Sequence, residues 1–566
     1  MAARLRDAIA GSSAVFFDMC RQRSQRTENT PVVFIVRPQL KAIALGNGQG
    51  QLQRINRIEP QSIAKQRLIG VNRGRFEVFK IERLDQQLGE FGLLRGLLGH
   101  GSHSTISGPT RAASAGGKRG SVSFVKPQSP GFTTPRMSQR PAPDMDIVVI
   151  GGGPAGSTAA TLLAEGGWRV LLCEKDQHPR FHIGESLLPL NLPILQRLGV
   201  LDQVAAIGVR KPAADFLGDA GQHNRFRFER ALKPVADHAY QVRRDQFDQL
   251  LFSRAAEAGA QTPQQCRVAS VEREHNGTMR VQLCDVAGER SLSCRYVIDA
   301  SGRDTLLGRQ HQLKTAHPRH RSAALYAHYR GVERRPGEDA GNISIYRLAQ
   351  GWMWMIPLPD DLMSVGAVGT PEYFKQRRGD LDQFLLDTIT AHPEATRRMR
   401  SAEPATAAEA TGNYSYQCKQ IAGPGWVMAG DAYAFVDPIF SSGVFLAMHS
   451  AERAADLVDQ CLRAPQREAR LQQAYRHHVD AGLHTFSWFI ERFTTPVMRE
   501  LFENPSERWQ IEQAVISMLS GDVFDNKPVL RRLRAFRLIY SITAMLQQWR
   551  RWRGHPQHAV PSVSAP

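Results

Sequence analysis

The chain of 566 residues contains no uninterrupted apolar run of about 18 residues, so nothing in it reads as a membrane-spanning helix. Paired cysteines are missing as well. Cys20, Cys173, Cys266, Cys284, Cys294, Cys418 and Cys461 are scattered, with no CxxC among them. An odd set of this kind excludes a disulfide framework and a zinc-ribbon spacing, and it suits reduced thiols in a cytoplasm; no metal site is expected. Glycine-rich nucleotide turns are scarce: a single GxGxxG occurs, which leaves no second such domain for a nicotinamide cofactor.

Acidic residues are outnumbered, with 54 Asp and Glu against 72 Lys and Arg, a formal net charge of +18. The imbalance is local. Residues 1–136 hold 21 basic and 8 acidic side chains, whereas the remainder holds 51 and 46. A main body so nearly balanced does not ask for nucleic acid as a partner. The basic first quarter lacks a sustained core-forming pattern and ends in the linker-like "SHSTISGPTRAASAGGKRGSVSFVKPQSPGFTTPR". It reads as a poorly structured extension: a targeting peptide, a basic arm, or the product of a misassigned start with Met137 as the true beginning. The last is preferred because an apolar strand follows shortly after Met137.

That strand opens "MDIVVIGGGPAGSTAATLLAEGGWRVLLCEK" (145–175), in which strand, glycine turn, small-residue helix, second strand and acid follow in order. Gly151 makes the tight turn, Gly153 admits a pyrophosphate to the backbone, and Gly156 lets the helix pack against the strand, with Ala155 at the helix start. The helix N-terminus favours phosphate charge. Glu174, followed by Lys175, stands where a carboxylate accepts from a ribose hydroxyl. A second apolar strand, "YVIDASGRD", ends at Asp299; a third, "GWVMAGD", ends at Gly430 and Asp431.

The terminal Gly-Asp resembles the flavin-ribose motif of flavoproteins of the p-hydroxybenzoate hydroxylase type. From about Met145 to about Ser450 the chain resembles the flavin-dependent halogenases. "GWMWMIPL" (351–358) matches their GWxWxIP signature and "FVDPIFSSG" (435–443) their FxxPxxSxG motif. "PRFHIGESLLP", with Arg180, Glu185 and Ser186, and "QVRRDQFDQLL", with Arg244, match cofactor-side segments of the wider superfamily. Trp352 and Trp354 are two apart on a strand and share a face, so they can wall a cavity or simply pack a sheet core. Ser442 and Gly443 open a helix whose free N–H groups suit an anion; in the family this is the halide site.

The resemblance implies an enzyme that uses FADH2 from a separate flavin reductase, dioxygen and halide to make hypohalous acid. Phe440 stands where tryptophan halogenases carry a glutamate, which points to the branch acting on phenol- or pyrrole-like rings, free or tethered to a carrier protein. Lys211, in "VRKPAADF" within an apparent loop, resembles the lysine that projects between flavin and substrate. A partly desolvated lysine can lose its proton, as neighbouring Arg210 cannot. A solvated loop lysine is the plainer reading of the position alone. An FAD-dependent monooxygenase or a geranylgeranyl-type reductase shares the cofactor motifs but does not require the full GWxWxIP, and a non-catalytic flavoprotein is a third class.

The expected fold is α/β: a doubly wound, Rossmann-like FAD-binding sheet of the p-hydroxybenzoate hydroxylase and glutathione reductase type over 137–451, with an inserted antiparallel substrate sheet (about 216–240 and 305–410) and a helical region over 452–566. A chain begun at Met137 is expected to bind FAD as the whole chain does, measured by flavin fluorescence titration. Loss of soluble protein on that truncation would show the first quarter to be part of the fold.

Overall fold

The computed structural model describes residues 142–218, 223–317, 322–412, 415–503 and 508–552, together with two hairpins nearer the N-terminus, Val33–Val36 with Lys41–Ala44 and Leu68–Asn72 with Arg75–Phe79. Residues 1–134 are a unit of their own. Those two hairpins apart, the expectation for the basic extension falls outside the described residues.

In the second unit the cofactor sheet is built on parallel strands in the order Val170–Cys173, Met145–Ile150, Gly288–Asp299, Trp426–Met428. Apolar residues run without alternation along Ile147–Ile150 and Val170–Cys173, as in strands covered on both faces. The register sets Asp299 opposite both Ile150 and Met428, so three strands end level and their following turns open on one edge. That edge is where open α/β sheets bind ligands. The first half of Gly288–Asp299 pairs with Met279–Asp285, which pairs with Arg267–Arg273, extending the sheet in antiparallel fashion.

The helix Pro154–Glu165 starts directly after the glycine turn and buries its small residues from Ala155 to Ala160. It packs on Gly443–Arg463, a helix of 21 residues that starts at the predicted Ser442 turn. Close approach is enforced at one point in particular: a Cβ on Gly156 would stand 1.8 Å from the Gly151 carbonyl oxygen.

The second sheet runs His223–Arg227, Ala213–Leu217, Ile343–Leu348, Gly351–Pro357, Leu362–Gly369, Ala323–Arg330, with the short strands Glu403–Pro404 and Glu409–Thr411 on its edge. Only Ile343–Leu348 and Ala213–Leu217 pair in parallel. Period-two alternation sorts Gly351–Pro357 between two cores. Trp352, Trp354 and Ile356 face the core shared with the cofactor sheet, while Met353 and Met355 enter a separate core with Leu325, Val365 and Leu385. Gly366, opposite Trp354, gives the indole its room, since a Cβ there would lie 2.3 Å from the ring.

Beyond Arg463 the chain is helical, in Glu468–Ile490, Pro496–Glu503, Ile511–Leu519 and Lys527–Trp552. The last buries Val529, Leu533 and Phe536 and leaves Leu538, Ile542 and Leu546 exposed. Among the described residues no helix is long and apolar enough to cross a membrane.

Gly366→Ala is expected to force Trp354 from its position and to cost about 1–3 kcal/mol, as overpacked cores do. Thermal denaturation followed by circular dichroism measures it, and an unchanged midpoint would mean that the indole repacks freely.

Candidate active site

A cavity of about 770 Å³ lies along the level strand ends. Its floor at one end is the glycine turn. Gly151 takes φ +98°, in the left-handed region that excludes most side chains, and Gly153 caps the helix without a side chain between its N–H groups and the cavity. Glu174 is buried at the end of Val170–Cys173 and accepts from the Gly152 N–H at 2.7 Å and the Asp176 N–H at 2.9 Å. A carboxylate has about four acceptor sites, so Glu174 retains capacity for a ribose hydroxyl. Lys175 is half exposed and paired with Asp304 at 2.6 Å, a surface contact of little energetic weight.

Two arginines line the cavity and converge on Asp248, a residue that the sequence reading did not single out. Arg244 grips both its oxygens at 2.8 and 3.0 Å, and Arg180 reaches it at 3.2 Å. Burial acts to raise the Asp248 carboxyl, and the two guanidinium charges outweigh it and hold the group below its ordinary value. Its position four residues after Arg244 on the same helix was the available signal.

Asp299 and Gly430 do not line the cavity. Asp299 is fully buried and accepts from the N–H groups of Ser301 and Leu307 at 3.0 and 2.8 Å, shaping the turn after its strand. Gly430 takes φ +59° and donates its N–H to Ser450 Oγ at 2.8 Å. Asp431 does line it, with its carboxyl pushed up by burial to about 6.

The two tryptophans also line the cavity, with ring centres 5.7 Å apart. Trp354 donates to Ser364 Oγ at 3.1 Å, and Trp352 donates to Asp437 at 3.2 Å. Asp437 lies within the second signature, so one hydrogen bond joins motifs 85 residues apart in sequence. The same carboxylate also accepts from the Ile439 N–H and the Ser322 hydroxyl, and burial pushes it up to about 6. Its presence in the quoted "FVDPIFSSG" was the sequence signal.

Ser442 sits behind Gly443, which lines the cavity; its Oγ is buried with no hydrogen-bond partner among the described residues. A hydroxyl left unsatisfied at a helix N-terminus is suited to an anion. Phe440 is 3% exposed and points into an aromatic cluster, edge-on to Phe493 at 5.7 Å and near Phe216 at 6.4 Å.

Lys211 is the last residue of the strand Gly208–Lys211, which pairs with Ala239–Val242, and not part of a loop. The strand was masked in sequence by its polar ends. The side chain is 1% exposed, with Nζ donating to Ser186 Oγ at 2.8 Å and to the Leu187 carbonyl at 2.9 Å. Ser186 lines the cavity, as does Glu185, so the lysine touches the wall from behind. Burial alone pulls its ammonium down to about 7.

The glycine turn that a Cβ would fill, the carboxylate at the second strand end and the elongated cavity fit FAD. Residues 144–482 match the FAD binding domain family, which makes the chain an FAD-binding flavoprotein. The 1H-pyrrole-2-carbonyl-[peptidyl-carrier protein] brominase of Pseudoalteromonas luteoviolacea is 30% identical over 67% of this chain and 92% of its own, and the corresponding chlorinase of Pseudomonas fluorescens is 28% identical over 74% and 98%. The tryptophan 2-halogenase of Chondromyces crocatus is 34% identical over 55% of this chain and 60% of its own. The solved flavin-dependent brominase Bmp2 superposes with a TM-score of 0.60 at 28% identity, covering 70% of this chain and 98% of that one. The chain belongs to the flavin-dependent halogenases.

The depressed lysine carries a stability signature. Between about 7 and the ordinary value of 10.5, the unfolded chain holds a proton that the folded one has released. Stability therefore rises with pH in that window, by up to about 1.4 kcal/mol per pH unit. The stability of Lys211→Met relative to the parent is expected to fall as pH is raised from 7 to 10, read from urea denaturation midpoints. A pH-independent difference would mean that Lys211 titrates as an ordinary lysine.

Proposed function

We propose that the protein halogenates an electron-rich phenol- or pyrrole-like ring presented on a carrier protein, using chloride or bromide. Bound FAD, delivered reduced by a separate flavin reductase, supplies the electrons with which dioxygen and halide become hypohalous acid. The glycine turn, Glu174, Arg180, Arg244 and Asp431 hold and orient that cofactor. The backbone N–H groups of the helix start at Gly443, which lines the cavity, take the halide, with Ser442 behind them. Trp352 and Trp354 exclude water from the path, which matters because hypohalous acid released into solvent loses its selectivity.

The observation that carries the reading is the burial of Lys211 against Ser186 on the cavity wall. At about 7 its ammonium and amine forms are both accessible at neutral pH. From behind Ser186 it meets the oxidant once that side chain turns aside: as an amine it then traps the oxidant as a haloamine, and as an ammonium it hydrogen-bonds the oxidant and sharpens its electrophilicity. Phe440 brings no carboxylate to help a poorly activated indole lose its proton, so the ring must be activated by its own substituents. The carrier is supported by the two relatives whose names specify a carrier-bound pyrrole.

Purified protein with a flavin reductase, NADH and bromide or chloride should add halogen mass to a pyrrole on a carrier protein or to a phenol, and little to free tryptophan. A halide-independent gain of one oxygen would mark a monooxygenase instead. Lys211→Met should retain FAD and oxygen consumption while product formation drops on the order of 100-fold, the scale of a lost acid–base or nucleophilic group. Halogenation at the parental rate would remove Lys211 from the mechanism.

A further inference from the structure

Beside the large cavity lies a second one of about 250 Å³. Phe181, Glu185 and Arg244 line both and so form the partition between them. Glu185 is 1% exposed, and its Oε1 stands 2.7 Å from His328 Nε2. Its other oxygen, Oε2, is buried with no hydrogen-bond partner among the described residues. A buried carboxylate oxygen without a protein donor is an exception, and such exceptions are typical of functional rather than structural groups.

The nearby cations do not relieve it. Arg244 is committed to Asp248 at 2.8 and 3.0 Å and to the Ile183 carbonyl at 2.9 Å. Arg243 is paired with Asp245 at 2.7 Å. The imidazole is instead the one group placed to serve the carboxylate, and it is held firmly. His328 lies on the strand Ala323–Arg330, its N–H donating to Thr406 Oγ1 at 3.0 Å and its carbonyl accepting from the Ala405 N–H at 2.7 Å. Phe181 stands edge-on to the ring at 5.8 Å. The ring lines the second cavity only, so it reaches from that chamber to a carboxylate on the wall of the first.

Proton demand gives this geometry a use, on the halogenase reading above. Reduced flavin held as its anion, dioxygen, halide and two protons give oxidised flavin, hypohalous acid and water. Without halide the anion, dioxygen and one proton give oxidised flavin and hydrogen peroxide. Two electrons pass from flavin to oxygen in either case, and one or two protons must reach the cavity that Trp352 and Trp354 help to line. Lys211 lines neither cavity and is bonded to Ser186 and Leu187, so it offers no route from solvent.

We infer that Glu185 and His328 form a proton relay between the second cavity and the flavin chamber. His328 takes a proton at Nδ1 from water in the second cavity and donates from Nε2 to Glu185 Oε1, and Glu185 releases a proton from Oε2 into the first. His328 acts through Glu185, as a positioning and relay residue.

The test needs no halide, so it stands apart from whether halogenation is observed. Protein loaded with FAD, reduced anaerobically and mixed with oxygenated buffer, is followed by flavin absorbance in a stopped-flow instrument. His328→Ala should bind FAD as the parent does, reoxidise on the order of 10- to 100-fold more slowly, and regain rate with added imidazole, as lost general acids do. His328→Gln keeps a donor to Glu185 but cannot relay; it should be equally slow and should not respond to imidazole. Reoxidation of either variant at the parental rate overturns the relay, and so does slow reoxidation of His328→Ala that imidazole leaves unchanged. Should His328→Ala fail to fold, His328→Gln decides: slow reoxidation with normal FAD affinity supports the relay, and parental reoxidation rejects it.

Discussion

The site depends on the hydrogen bond from Trp352 to Asp437, because it ties the wall of the second sheet to the turn that opens the helix Gly443–Arg463. Asp437 takes three donors at once, from an indole, a backbone N–H and a hydroxyl, and each comes from a different stretch of chain. A buried carboxylate survives only when its hydrogen bonds are met, so losing one donor burdens the others. The turn around Ser441, itself at φ +55°, is thereby fixed relative to the tryptophans. The distance from the turn before Gly443 to the two tryptophans is in this way a property of the fold rather than of a flexible loop.

Dryness is the second constraint. Lys211 is drawn down to about 7, while Asp431 and Asp437 are pushed up to about 6, and in all three burial is the leading cause. Acids and base alike move toward their neutral forms, as expected where water is kept out. A chemistry built on a diffusing oxidant gains from the same property, since water competes with the substrate for it.

Much of this was legible in the sequence because it rests on local pattern. The glycine turn, its helix and the acid after the second strand follow one another within about thirty residues, and the alternation in "GWMWMIP" put both indoles on one face, as they are in the sheet. What could not be read depends on contacts between distant segments. Asp299 ends the right strand, yet its oxygens are taken by Ser301 and Leu307, a turn geometry that strand pattern does not encode. Asp248 acquires its meaning only when Arg180, 68 residues away, folds against it. Lys211 looked like loop because Gly208–Lys211 is short and its partner strand lies some thirty residues on. His328 carried no signal, since Glu185 is 143 residues distant.

Glu185 and Ser186 bring these threads to one place. The segment is locally extended, with Ser186 bridged to Gln241 and the Glu185 carbonyl accepting from Val242. Successive side chains in extended backbone point to opposite sides. Ser186 accordingly meets Lys211, and Glu185 meets His328. A single dipeptide on the cavity wall therefore presents two separately supported polar groups, one backed by a buried amine and one by an imidazole that reaches a second chamber. Under the proposed mechanism this separation has a chemical advantage: it keeps the Lys211 amine apart from the proposed proton route, and the alternation of an extended strand provides it without further structure.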